Sequence, residues 1–427
     1  MRKRYATVSY VLGAATARTG DEMSGPALLL AGLAVTGSAA SGSALLAALT
    51  VSAAVGGPLF GVLLDRSARP GRLLAGALAG YAAGLAAVLV SLGRAPFVCS
   101  VALAVLTGLL GPALTGGWTS QLPRVAAPEA LARVTAFDAM TFNVASLAGP
   151  ALAGLLAGAA GAPAGAAAAI AFIVLALPSA WTLPPVRRPA PAVPAVPAVP
   201  AVPAVPAASA ASVLAGLAAG FRAVVRTRPL ARATSASVVS CVGEGMLVAC
   251  CPLLGAQALG GAGRGALLLS VVAASALAAN ATLSRFPRLL SPDTVLWCGP
   301  LVLAGALSLA ATDRTAPFAV AAMVLAGIGE GPQLTALFAV RHREAPEGLR
   351  GQIFTTGASL KITAFAVGAG LAGPLAARSL PGALVTAAGF EVLAALVFAA
   401  VGAVRRAGAA AAVPSPRAAA RSRRRPS

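Results

Sequence analysis

Charged residues, histidine and aromatics are scarce in this chain, and each shortage removes a class of function. Only 10% of its 427 residues are charged, 12 residues are acidic, and the one histidine is His342. A site built on a nucleophile and a histidine base has little to draw on. His342 stands among basic residues and reads as a solvated loop residue. The five cysteines, Cys99, Cys241, Cys250, Cys251 and Cys298, fall in apolar stretches without metal-ligand spacing to a histidine. Neither a disulfide framework nor a zinc site is expected from them. No GxxxxGK[ST] run occurs, which removes the phosphate-cradling loop of ATP-driven pumps. Trp and Tyr number three each, which leaves little surface for stacking a flat ligand. Neither an enzyme nor a cofactor nor a metal is expected.

What is abundant is apolar. Hydrophobic residues make up 58% of the chain and the mean hydropathy is +0.86, far outside the range of water-soluble domains. A helix crossing a bilayer needs roughly 20 predominantly apolar residues. Twelve such cores are predicted, at residues 8–36, 42–64, 73–92, 96–118, 136–159, 164–183, 232–254, 265–284, 294–311, 316–338, 352–376 and 382–404. The fold class expected is an all-α membrane protein of twelve spans. All but six of the 32 Lys and Arg residues then fall on one side. Arg94, Arg264, Arg314 and Arg378 lie on the other side, and Arg18 and Lys361 lie inside spans. The positive-inside rule places both termini in the cytoplasm, which twelve spans permit, and the cell membrane is the expected location. The first apolar run is interrupted by Arg18, Asp21 and Glu22, so it reads as an uncleaved span rather than a signal peptide.

A net charge of +20 raises nucleic acid as a partner. The basic residues are dispersed over loops on one membrane face rather than gathered on a domain, so no nucleic acid is expected. The C-terminal RSRRRPS is matched instead to anionic lipid headgroups.

The second half repeats the first. GDEM from Gly20 returns as GEGM from Gly243, and SALL from Ser43 as GALL from Gly265. GPALT from Gly111 returns as GPQLT from Gly331, APEAL from Ala127 as APEGL from Ala345, and GPALAG from Gly149 as GAGLAG from Gly368. The strings keep one order at a nearly constant offset. Duplicated halves of this kind are a signature of secondary transporters.

The organisation that follows is an N-terminal six-helix bundle over 1–183, a linker over 184–231, a C-terminal six-helix bundle over 232–404 and a basic tail over 405–427. The linker holds a run with Pro at every third position from Pro191 to Pro206, expected as a solvated polyproline II spacer or a docking site for a Pro-reading partner. The stretch after it, with Arg222, Arg226 and Arg228, reads as an amphipathic helix on the cytoplasmic membrane surface.

Glycines spaced four apart, as at Gly76, Gly80 and Gly84, allow close helix approach. Gly111 and Pro112, with Gly116 and Gly117, and Gly331 and Pro332 at the matching place, are expected to bend paired helices beside a substrate pathway. Ionisable residues within spans face the bundle interior or a water-filled cavity and are functional candidates. Arg18 has Asp21 and Glu22 three and four residues on, within reach on one helix face; an intrahelical structural bridge and a substrate or proton role both remain open. Glu244 matches them in the second half, without a cation in its own span. A carboxyl kept from water can bind and release protons near neutral pH, which makes Glu244 the leading proton-site candidate. Glu330 and Lys361 lie at equal depth on successive spans, where an ion pair would be structural or a switch. Asp138 and Glu391 carry less information.

The loop after the second span reads GVLLDRSARPGR, with Gly61, Leu63, Asp65, Arg66, Arg69 and Arg72. It resembles the hallmark loop of the major facilitator superfamily, with Ala68 and Pro70 as departures. The second-half loop LSRFPRLLSPD keeps Arg285 and Arg288 without the acid. The resemblance implies two pseudo-symmetric six-helix bundles around a cavity opening alternately to each side. It also implies a cytoplasmic gate built on Gly61, Asp65, Arg66 and Arg69. ARTGDEMSGPALLL in the first span resembles the branch of siderophore and drug exporters. LAGPALAGLLAG, with Gly149 and Pro150, resembles the Gly-Pro motif of antiporters. Span four, VALAVLTGLLGPALTGGW, lacks the Arg that drug/proton antiporters often carry there. The expected function is proton-coupled efflux of a small amphipathic compound by a monomer, with substrate, protons and lipid as partners. Uptake or facilitated diffusion of a metabolite is the alternative, and a transport-inactive sensor the alternative of another class.

Overall fold

The computed structural model describes residues 2–37, 39–185, 210–260, 265–286, 289–313 and 315–412. The Pro repeat, the tail beyond residue 412, and Arg187, Arg188, Arg264, Arg288 and Arg314 lie outside the described residues. The protein is nearly all helical, with twelve long helices in two bundles of six. The first six are α1 (Arg2–Thr36), α2 (Ala39–Arg66), α3 (Pro70–Ser91), α4 (Phe97–Gly108), α5 (Leu131–Ala160) and α6 (Ala162–Trp181). The second six are α7 (Arg228–Leu259), α8 (Gly265–Arg285), α9 (Pro292–Thr312), α10 (Ala316–Glu344), α11 (Arg350–Arg378) and α12 (Leu380–Ala412). Eleven of these segments are long and apolar enough to cross a membrane. The twelfth, α1, carries Arg18, Asp21 and Glu22 in its middle.

Helix ends follow local chemistry that the two halves share. Gly37 ends α1 with φ at 68° and Gly260 ends α7 with φ at 76°, a left-handed conformation that costs glycine little. Pro70 opens α3 and Pro292 opens α9, positions where a missing N–H has no intrahelical partner to lose. Packing repeats as well. Gly108 sits on the Leu49 carbonyl and Ser52 of α2, while Gly327 sits on the Val272 carbonyl and Ser275 of α8. A side chain at either glycine would overlap the facing backbone, so both glycines set how closely their helices approach. One buried cluster runs from Tyr10 to Leu183 and another from Met246 to Ala388.

The halves meet toward the arginine-rich end, here the basic end. There α2 lies against α11, and α5 against α8 and α10. Ser359 Oγ donates to the Ala53 carbonyl at 2.6 Å, Gly57 and Gly61 leave room for Ser359 and Thr355, and Phe142 meets Phe338 at 5.6 Å between ring centroids.

Three expectations change. The amphipathic segment is helical over Ala210–Arg226, but it packs across the seam between halves instead of only on the membrane. Its Leu217 carbonyl accepts from Gln352 Nε2 at 3.0 Å, Gly216 lies beside Val62 and Arg66 of α2, and Val224 clusters with Leu230, Ala345 and Ile353. Protein covers part of its apolar surface, at Val224, while Phe221 and Val225 stay exposed. Gly111–Pro112 does interrupt its helix: α4 ends at Gly108 and a π-helical turn follows over Ala113–Gly117. At Gly331–Pro332, however, α10 stays helical through Pro332, so only the first-half site leaves the α-helical pattern. Pro150 likewise lies inside continuous α5. Finally, His342 is buried in α10, its ring 4.6 Å from Phe354, because α10 extends past the expected span end and carries the basic residues inward.

Candidate substrate pathway and gate

Arg18 is 1% exposed, and its partner is Asp138 of α5, 0% exposed, at 2.9 Å. The same guanidinium donates to the Asp138 carbonyl at 2.8 Å, to Thr119 Oγ1 at 2.8 Å and to Thr141, and it lies 3.7 Å from the centre of the Phe142 ring. Asp138 also accepts from Tyr10 at 3.0 Å and from Thr119 at 2.9 Å. Of the two readings left open for Arg18, Asp21 and Glu22, this removes the intrahelical bridge. A buried pair survives only with its remaining hydrogen bonds met, and α5 supplies them where a neighbour on α1 would not.

Freed of that role, Asp21 accepts from the buried Tyr81 hydroxyl of α3 at 2.8 Å, and Glu22 accepts from Ser146 of α5 at 3.3 Å. Both carboxyls are half-buried. Gly149 lies directly over Glu22, where an added Cβ would come within 2.6 Å of the Glu22 Cβ. The Gly149–Pro150 motif thus brings α5 onto α1 at an acidic residue.

The second half places its acids differently. Glu244 of α7 is half-buried, accepting from Cys241 Sγ at 3.2 Å and Ser240 Oγ at 3.5 Å. Ser240 Oγ also lies 2.6 Å from Glu391 Oε2 of α12, and Glu391 is fully buried. The salt bridges among the described residues are Arg18–Asp138, Arg232–Asp293, Arg343–Asp293 and Arg343–Glu344. Glu330 and Lys361 therefore do not form the expected ion pair, although both act electrostatically on Glu244's surroundings. They are half-buried on neighbouring helices. Arg341, 2% exposed, lies 5.7 Å from the Phe354 ring centre in space left by Gly357.

At the basic end Asp65 accepts the backbone N–H groups of Gly351 at 2.6 Å and Gln352 at 2.8 Å. These are free donors at the start of α11, where a carboxylate also meets the positive end of the helix dipole. Arg124 of the first half and Arg350 of the second both act on Asp65 electrostatically. Burial and the nearby Arg350 hold the Arg124 guanidinium below its ordinary pKa. Gly61 permits the contact, since a Cβ there would strike the Gln352 backbone. Arg66 and Arg69 are exposed, and Arg69 forms no salt bridge among the described residues. In the second half Asp293, at the start of α9, pairs with Arg232 and Arg343 of the same half.

The family model of the Major Facilitator Superfamily matches residues 10–360. The chain belongs to that superfamily. Among solved structures it is similar to the human organic anion transporter MFSD10, at 18% identity and a TM-score of 0.71, covering 93% of this chain and 100% of that one. It is also similar to a bacterial homologue of the iron transporter ferroportin in an outward-facing state, at 14% identity and a TM-score of 0.71, covering 93% and 99%. The E. coli fucose:proton symporter matches at 12% identity and a TM-score of 0.68, covering 94% and 99%. No curated protein sequence matches the chain. At these identities the likeness is one of fold. Superfamily membership makes this a multi-pass membrane transporter and implies transport rather than enzymatic work.

Asp138, Ser240, Glu391 and Gln352 went unrecognised in the sequence as parts of these networks. Asp138 and Glu391 are intramembrane acids like Asp21, and that criterion alone marks them. Ser240 and the amide of Gln352 carry no comparable signal.

Proposed function

We propose that this transporter exports a small amphipathic compound in exchange for protons, across the cell membrane, with both termini in the cytoplasm. The basic end is then the cytoplasmic gate, and the contacts at Asp65, Ser359 and the Ala210–Arg226 helix hold it shut in an outward-open conformation. The observation that carries the reading is the set of half-buried carboxyls at Asp21, Glu22, Glu244 and Glu330, midway along helices of both halves and without a salt bridge. Among the described residues Lys361 is the one half-buried cation at comparable depth, so acid exceeds base there and a neutral or cationic substrate is favoured over an anion. Carboxyls free of fixed cations are able to exchange protons as the halves rock. Gly111–Pro112 and the π-helical turn after it lie where α4 can flex during that motion.

Everted vesicles test the reading. Substrate accumulation driven by an inward-acid gradient, lost in Glu244→Gln, supports proton-coupled export. Transport that ignores pH and survives Glu244→Gln replaces it with facilitated diffusion, and accumulation only in right-side-out vesicles replaces it with uptake.

A further inference from the structure

Ser240 stands between two carboxyls, and its single hydroxyl proton cannot satisfy both. Ser240 Oγ is 2.6 Å from Glu391 Oε2 and 3.5 Å from Glu244 Oε1. A serine carries one donor hydrogen and two acceptor lone pairs. If both acids were ionised, one of these contacts would be oxygen against oxygen with no proton between them. Glu391 is moreover 0% exposed, and among the described residues no donor meets its buried Oε1 and no salt bridge reaches it. An unpaired carboxylate in such a place loses its hydration without a compensating charge, which favours the neutral acid. Glu244, in contrast, is half-buried and faces both the Cys241 thiol and the Ser240 hydroxyl, an environment suited to an ionised acceptor.

We propose that Glu391 is a second proton-binding site, joined to Glu244 through Ser240. In this conformation Glu391 Oε2–H donates to Ser240 Oγ, and Ser240 donates to Glu244 Oε1. Transfer moves the Glu391 proton to Ser240 while the Ser240 proton passes to Glu244. Only O–H bonds break and form, and the negative charge moves from Glu244 to Glu391. The groups that bear on Glu391 are Cys241 and Glu244 from α7, Glu330 from α10 and Lys361 from α11; α9, which also packs on α12, offers Cys298 and, at its basic end, Asp293. Gly243 is the reason the carboxyl fits, since a side chain there would overlap Glu391 Oε1. Lys361 acts on both acids and biases where the proton rests. The sequence repeat gives the first half no counterpart on α6, so the relay belongs to the second half alone.

The inference rests on the reading of Glu244 as a coupling site, but its test needs no substrate. Infrared spectroscopy of the purified full-length protein in lipid resolves the carbonyl stretch of protonated carboxylic acids. At neutral pH the band is expected in wild type, retained in Glu244→Gln and diminished in Glu391→Gln; Glu391→Asp, which keeps the acid, should shift it if the glutamine variant fails to fold. After a jump to alkaline pH, Ser240→Ala should slow loss of the band by at least about ten-fold, the scale of a misplaced proton relay. A Glu391→Gln spectrum identical to wild type, or unchanged kinetics in Ser240→Ala, overturns the relay. Transport that ignores pH while the band behaves as described would remove the coupling function and leave the proton site standing.

Discussion

The two halves share their backbone packing and differ in their charges. In the first half the deepest ions are matched: Arg18 and Asp138 are paired, with Tyr10, Thr119 and Thr141 meeting the remaining bonds of the pair. In the second half Glu244, Glu330, Glu391 and Lys361 share one region without a salt bridge. Duplication preserved what sets helix separation, such as Gly108 and Gly327, and let electrostatics diverge. A matched pair resists change, whereas unpaired acids respond to a proton or a substrate. The Arg18–Asp138 pair thus stiffens the first half around it, while Asp21 and Glu22 there, like the second-half acids, stay free to respond.

The largest way to break this contrast is to unpair the frame. Asp138→Ala should destabilise the protein by about 3–5 kcal/mol by leaving Arg18 buried alone. Thermal unfolding in detergent measures this, and Glu244→Gln in the same assay should change little. If the two variants fall equally, the halves are not distinguished by their charges.

The shared packing is sharpened by Gly108→Val and Gly327→Val. Each forces a side chain into facing backbone, for a loss of about 1–3 kcal/mol, and the two losses should agree closely. A large difference in unfolding temperature would show that the glycine contacts are not equivalent.

A smaller effect is expected at the gate. Asp65→Asn keeps one acceptor for the α11 amides but loses the charge, for about 1.5 kcal/mol, or roughly ten-fold in the ratio of closed to open. Thiol accessibility of a cysteine placed at Ser359 should rise. Smallest is Asp293→Ala, whose pairs are partly exposed, at 20% for Arg232 and 43% for Asp293 itself. Within about 1 kcal/mol is expected, again by thermal unfolding.

Span length, charge asymmetry and the repeat made the twelve helices legible before any coordinates. Those signals are carried by many residues at once. The gate was half legible: the loop motif marks Asp65, but its partners are backbone amides of Gly351 and Gln352, which any sequence supplies. Spacing along one helix kept a bridge from Arg18 to Asp21 and Glu22 open, and says nothing about α5 arriving from 120 residues away with Asp138. The amphipathic segment showed one apolar face, and amphipathicity does not distinguish a bilayer from the seam between two bundles. Glu391 failed to stand out because its partner, Ser240, is an ordinary residue made important only by the packing of α7 against α12.

The most direct test of the account is a pair of spin-label distances measured across pH in lipid. One pair, at Ala68 and Gly348, spans the basic end; the other, at Arg94 and Thr315, spans the opposite end. Acidification should change the two distances in opposite senses in wild type, and Glu244→Gln should hold both fixed. Distances that ignore pH in wild type, or that respond unchanged in Glu244→Gln, would contradict the claim that protonation of the second-half acids drives the rocking of the bundles.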